Sequence, residues 1–198
     1  MFAVLGEHKS DAATLKVFVR RLVQSEASVK TKGYSGCGEL LRKGAQQVRV
    51  FQQLGAKYFI IVHDADGPDS NPAYQRVLSK IVQPAKVNSH SCILIPVQEL
   101  EAWIMADETA VSAVIPTFKL KAHSSPELIA NPKECLERLS RQGRTRPLYS
   151  HAVHNERVAK HICIAKLSEK CPSFRPLQAF IAEIQGEGAP SNTPTCPR

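Results

Sequence analysis

The sequence lacks any long hydrophobic run. Its N-terminal apolar stretch, Phe2 to Leu5, meets Gly6, Glu7, His8 and Lys9 at once. A secretory signal needs a basic start and about 7–15 apolar residues, and a membrane-spanning helix needs about 20. A cytoplasmic location is therefore expected. Cys-x-x-Cys pairs are also missing. Cys37, Cys92, Cys135, Cys163, Cys171 and Cys196 are scattered, which argues against a thiolate zinc site. A chain of 198 residues that is 43% hydrophobic can bury a core without disulfide staples, so reduced thiols are expected. No Gly-x-x-x-x-Gly-Lys-Ser/Thr loop occurs, so the chain carries no P-loop ATPase of its own. The seven histidines, at positions 8, 63, 90, 123, 151, 154 and 161, show no metal-ligand spacing. Acidic residues are the minority, 18 Asp+Glu against 26 Lys+Arg, for a formal net charge of +8. That excess favours contact with phosphate backbones, although many basic proteins bind no nucleic acid.

What is present is strand–helix alternation. Phe2–Leu5 reads as a buried strand, and Ser10 can cap a helix carrying Leu15, Phe18, Val19, Leu22 and Val23 at helical spacing. A weaker strand lies within Ala27–Lys32. A glycine-rich turn around Cys37 then leads into a helix with Leu41, Ala45 and Val48 on one face, stopped at Gly55. Tyr58–Val62 is apolar without alternation, as a central parallel strand covered on both faces should be. A helix with Tyr74, Val77, Leu78, Ile81 and Val82 follows, then a strand, Cys92–Ile95, and a helix expected from Gln98 to Asp107. Four such repeats predict an α/β fold: a Rossmann-like parallel sheet with helices on both faces. Beyond Asp107 the apolar spacing is helical. Cys135, Leu136 and Leu139 mark one helix, Val158, Ala159 and Ile162 another, and Leu177, Phe180 and Ile181 a last one. The organisation expected is an α/β core over 1–107, a helical C-terminal extension over 108–185 packed on it, and a disordered tail over 186–198.

Ligands of open parallel sheets sit at the carboxyl ends of strands. Glu7, Asp64 and the Glu99/Glu101 pair all fall just past such ends. Asp64 and Asp66 flank Ala65, a spacing that lets both carboxylates reach one divalent cation, with oxygen ligands suited to Mg²⁺ or Mn²⁺. Alone, Asp-x-Asp-Gly equally suits a turn after a strand. A haloacid-dehalogenase phosphatase would want Thr at position 68, which holds Pro68. Glu7 reads either as an exposed loop glutamate beside a helix start or as a proton carrier at a phosphoryl centre. Asp11, in the first helical turn, reads as structural, and Trp103 as core. On a regular helix Glu99 and Glu101 point about 200° apart, so only one of them would face a given ion. The Arg138–Arg146 stretch holds the densest basic residues and reads equally as a backbone contact or a solvated helix end.

Gly6-Glu7-His8-Lys9-Ser10-Asp11 and His63-Asp64-Ala65-Asp66-Gly67 together resemble the Toprim fold shared by topoisomerases, primases and nucleases. Toprim proteins place a Glu after the first strand and an Asp-x-Asp after the third. Three further stretches, Ile95 to Trp103, Asn131 to Glu134 and Cys171 to Phe174, are similar to RloB-like proteins, a bacterial Toprim-like family related to nucleases of the overcoming-lysogenization-defect type. The likeness covers most of residues 1–185. It implies a Mg²⁺- or Mn²⁺-dependent nuclease acting on DNA or RNA, and an ABC- or AAA-type ATPase partner in antiviral defence. It also implies a catalytic and metal site of Glu7, Asp64, Asp66 and Glu101. The family's Glu-x-Trp pattern favours Glu101 over Glu99. The Toprim pattern has Gly after its first Glu, and this sequence has His8 there. The other reading is a non-catalytic nucleic-acid-binding or regulatory subunit whose ATPase partner does the work.

Overall fold

Strands β1 (Phe2–Gly6) and β3 (Tyr58–Val62) are apolar on both faces, and they take the centre of a four-stranded parallel sheet. The order is β2-β1-β3-β4, with β2 (Val29–Gly33) and β4 (Ser91–Leu94) at the edges. β2 is the strand that shows Lys30, Thr31 and Lys32 to solvent, as an edge can. Leu5 lies opposite both Lys32 and Ile61, and Ile61 opposite Ile93, so all four strands finish along one edge. The computed structural model describes residues 1–24 and 27–186.

The chain runs from β1 through α1 (Lys9–Val23) to β2, then returns past β1 through α2 (Cys37–Gln53) to β3. α3 (Asn71–Val77) continues through a π turn at Leu78–Val82 into α4 (Gln83–Ala85) and leads on to β4. The strand order therefore reverses between β1 and β3. At such a switch point the adjoining loops part and leave a crevice at the carboxyl edge. Period-two alternation splits the strands' side chains between two cores. Val4, Ile60 and Val62 meet Leu15, Phe18 and Val19 of α1. Ala3, Leu5, Phe59 and Ile61 meet Leu40, Val48 and Phe51 of α2, with Val77 and Ile81. The start of α1 rests on the end of β2 so closely that a Cβ on Gly33 would stand 2.4 Å from the Lys9 backbone.

Past β4 come α5 (Glu101–Ile104), α6 (Glu108–Val114), α7 (Pro132–Arg141), α8 (His151–Ala159), α9 (Ile164–Lys170) and α10 (Arg175–Gly186). They join the core on the α1 side through Leu136, Val158, Leu167, Leu177 and Ile181. Trp103 is fully buried there, edge-on to Phe18 and Phe174, and its indole N–H donates to Ser173 Oγ at 2.8 Å. Arg21 of α1 donates to the Ala159 carbonyl at 2.7 Å, tying the two layers together.

Several local expectations change. The stretch from Gln98 to Asp107 is not one helix: Gln98 takes a positive φ of 63°, and the helix begins only at Glu101. The cap of α1 is His8 rather than Ser10. The Asp11 carboxylate accepts the His8 N–H at 2.8 Å, while the Ser10 hydroxyl donates to Asp11. Cys37, Cys92, Cys135 and Cys171 are free thiols. Cys196 lies outside the described residues, as does the expected tail beyond Gly186. Among the described residues no helix is long and apolar enough to cross a membrane.

Candidate functional site

Five carboxylates gather at the carboxyl edge of the sheet, around the point where the strand order reverses. Glu7 follows β1, Asp64 follows β3, Glu99 and Glu101 follow β4, and Asp11 stands in the first turn of α1. Each is held by a hydrogen-bond donor. Glu7 Oε1 accepts the Asp64 N–H at 2.9 Å and lies 2.9 Å from His63 Nδ1. Asp64 Oδ1 accepts the Leu100 N–H at 3.0 Å, which ties the end of β3 to the turn after β4. Glu99 Oε2 accepts the Lys133 N–H at the start of α7, also at 3.0 Å. Glu101 Oε1 accepts from the Asn155 side-chain amide at 3.0 Å. Asp11 is held by the His8 N–H.

The holding groups are backbone and side-chain amides and histidines. Among the described residues, the lysine ion pairs go elsewhere: Lys43 to Glu39, Lys166 to Asp107 and Glu108, and Lys170 to Glu108. The gathered negative charge has consequences for protonation. Asp64 is partly exposed by surface area, yet the protein around its carboxyl makes burial the largest influence on it. Burial, then the charges of Asp11, Glu101, Glu7 and Glu99, hold Asp64 well above the ordinary aspartate value. Glu101, 4% exposed, is pushed up to about 7 by burial. The Asn155 hydrogen bond opposes that rise, and the charges of Asp11 and Glu99 add to it. Burial pulls His63 down, but its hydrogen bond to Glu7 and the Glu7 charge together leave it raised.

Of the four residues singled out by sequence, the structure brings Glu7, Asp64 and Glu101 together and sets Asp66 on the exposed loop just after Asp64. Asp66 is exposed, takes a positive φ of 53°, and gives its N–H to the Gln98 carbonyl. Glu99 and Glu101 both act on Asp64, contrary to the expectation that only one would face the site. Glu99 lies in the turn before the helix, so helical phase does not govern it. Asp11, read as structural, is a buried member of the group. Sequence reasoning missed His63, which directly precedes Asp64 and so shares its strand end. It also missed Asn155 and Tyr149, whose spacing from Glu101 gives no local signal. His63 Nδ1 faces two acceptors, Glu7 Oε1 and the Asp64 carbonyl at 2.6 Å, so that nitrogen carries the proton. Its Nε2 is buried without a hydrogen-bond partner among the described residues.

The donor set consists of carboxylate oxygens, which suit a hard divalent cation. Among the described residues no three His, Cys, Asp or Glu side chains already stand in a complete coordinating arrangement. A cation would have to draw the acids inward.

No curated protein and no solved structure matches the chain. A family model described as "Domain of unknown function (DUF4276)" matches residues 6–182, a span that takes in the sheet edge, all five carboxylates and Asn155. The chain therefore belongs to the DUF4276 family.

Proposed function

We propose that this protein is a Toprim-type, Mg²⁺- or Mn²⁺-dependent nuclease that cleaves phosphodiester bonds in DNA or RNA. In this reading it works in the cytoplasm, as an antiviral-defence effector beside an ABC- or AAA-type ATPase. One observation carries the enzymatic part. A group of five acids, Glu7, Asp11 and Glu101 among them buried, gathers at a topological switch point from three strand ends and the start of α1, and has no lysine or arginine ion pair among the described residues. Glu7, Asp64 and Glu101, with Asp66 at the rim, are the proposed catalytic and metal-holding residues, and Glu99 and Asp11 add to the local charge. A divalent ion there would supply charge neutralisation at a phosphodiester and activation of water.

The chain's own residues divide the remaining work. His63 and the Asp64 N–H fix Glu7 Oε1, so the Glu7 carboxylate is oriented before any ligand arrives. Leu100 does the same for Asp64 Oδ1. Glu101, raised to about 7, can hold or release a proton near neutral pH, as a general acid or base must. The net charge of +8 supports a polyanionic substrate. The Toprim-like motifs support the nuclease class and the ATPase partner.

The test is a cleavage assay on purified protein with DNA and RNA substrates, in Mg²⁺, Mn²⁺ or EDTA, alone and with a candidate ATPase. Cleavage is expected only with metal, and Asp64→Asn should lower it by about 100-fold or more, the scale set by losing electrostatic stabilisation of the transition state. Equal cleavage by wild type and the variant would contradict the assignment.

A further inference from the structure

We propose that Asn155 on α8, backed by Tyr149, is a positioning residue for Glu101, so that the C-terminal helices complete the site formed at the sheet edge. The inference rests on the proposed function and extends it to residues far away in sequence. Asn155 and Tyr149 are both fully buried, and Glu101 nearly so. The Tyr149 hydroxyl donates to Asn155 Oδ1, and the Asn155 amide N–H donates to Glu101 Oε1 at 3.0 Å. With Glu101 ionised, the form that would bind a cation, the order of donors is forced. A carboxylate accepts only, so the Asn155 NH₂ must face Glu101 and its carbonyl must face the hydroxyl. A flipped amide would set oxygen against oxygen.

Tyr149 is itself anchored. Its backbone N–H donates to Ser140 Oγ on α7 at 3.0 Å, and its ring stacks on His154 at a centroid distance of 5.9 Å. The relay thus runs from α7, through the segment before α8, to a carboxylate that follows β4. A buried asparagine on an apolar helix face costs stability unless fully partnered. Here its partners are another buried polar group and an acid of the site. A purely structural asparagine would change only stability when removed. One that positions Glu101 would also change what Glu101 binds.

The experiment is a calorimetric Mn²⁺ titration of the full chain, paired with melting temperatures in EDTA. Asn155→Ala should bind Mn²⁺ about 10-fold or more weakly, the usual range for groups that orient a metal ligand. Glu101→Gln should also weaken binding. The double variant should be no weaker than Glu101→Gln alone, because the two residues act as a unit. Tyr149→Phe keeps the amide but frees its far end, and should lose less than Asn155→Ala. Val48 lies in the core on the opposite face of the sheet from α8, so Val48→Ala should melt lower yet keep wild-type affinity. Wild-type affinity in a folded Asn155→Ala protein, or additive losses in the double variant, would overturn the inference. So would a loss in Val48→Ala as large as that in Asn155→Ala. If Asn155→Ala does not fold, unchanged affinity in folded Tyr149→Phe overturns it. Absence of Mn²⁺ binding by the wild type is a different failure, and it would remove the proposed function itself.

Discussion

Glu101 is a glutamate kept from ionising at its ordinary pH. Its value rises from 4.5 to about 7 in the fold, so the folded state holds its proton where the unfolded chain has released it. The native state then binds more protons than the unfolded state between these two values, and stability falls as pH rises through that window. Stability from this residue is fully present below about pH 4.5, is lost as pH climbs through about 7, and the curve levels above. The cost is roughly 3 kcal/mol for a shift of this size. In metal-free protein, Glu101→Gln should remove that part of the decline. Glu99→Gln should keep most of it. Urea unfolding at pH 5 and pH 8 in EDTA checks this. An unchanged decline in Glu101→Gln would mean Glu101 is not held protonated. At this scale Glu7, Asp64 and the Glu99/Glu101 pair were legible because strand ends in an α/β pattern point to one edge, while the preference for Glu101 within the pair came from the Glu-x-Trp resemblance and both glutamates act on Asp64. Asn155 was not, because its partner lies 54 positions away and helix periodicity marks it only as a polar residue among others.

Elements β1, β3 and β4 were legible from their apolar composition. β2 was faint because an edge strand that shows Lys30, Thr31 and Lys32 to solvent lacks the apolar run of the others. The expected Gln98–Asp107 helix failed at its start. Gln98 and Asp66 both take positive φ, and the Asp66 N–H to Gln98 carbonyl bond is joined by one from the Gln98 N–H to the Gly67 carbonyl. That pairing between two loops is invisible to a reading of one segment at a time. The contact of α1 with β2 gives a prediction at this scale. An added methyl on Gly33 would meet Lys9 N and Cα at 2.4 Å and the His8 carbonyl carbon at 2.6 Å, all backbone that cannot swing aside. Gly33→Ala should cost about 3 kcal/mol, the upper part of the range for overpacking. Gly38, in α2, has nothing within 4 Å of its added methyl. Gly38→Ala should therefore be neutral or stabilise by up to about 1 kcal/mol. Denaturant melts separate the two, and equal stability of the variants would contradict the close contact at Gly33.

Across the whole molecule, one sheet edge concentrates negative charge in a chain whose formal net charge is +8. Glu7, Asp11, Asp64, Glu99 and Glu101 come from the N-terminal α/β half. Asn155 and the Lys133 N–H, which hold Glu101 and Glu99, come from the helices that follow. The α1-side core likewise mixes residues from β1 with residues as late as Ile181. The family match over residues 6–182 spans both halves. The central claim is that these acids are gathered to take a divalent cation, and melting temperature at pH 8 tests it most directly. In EDTA, Asp64→Asn should melt at or above wild type, because it removes one acid from a crowded group of five. With rising Mn²⁺ the wild type should melt progressively higher, by about 2.7 kcal/mol of added stability at 100 times Kd, while Asp64→Asn should not respond. A wild-type protein indifferent to Mn²⁺ and Mg²⁺, or an Asp64→Asn variant that responds as wild type does, would contradict the account.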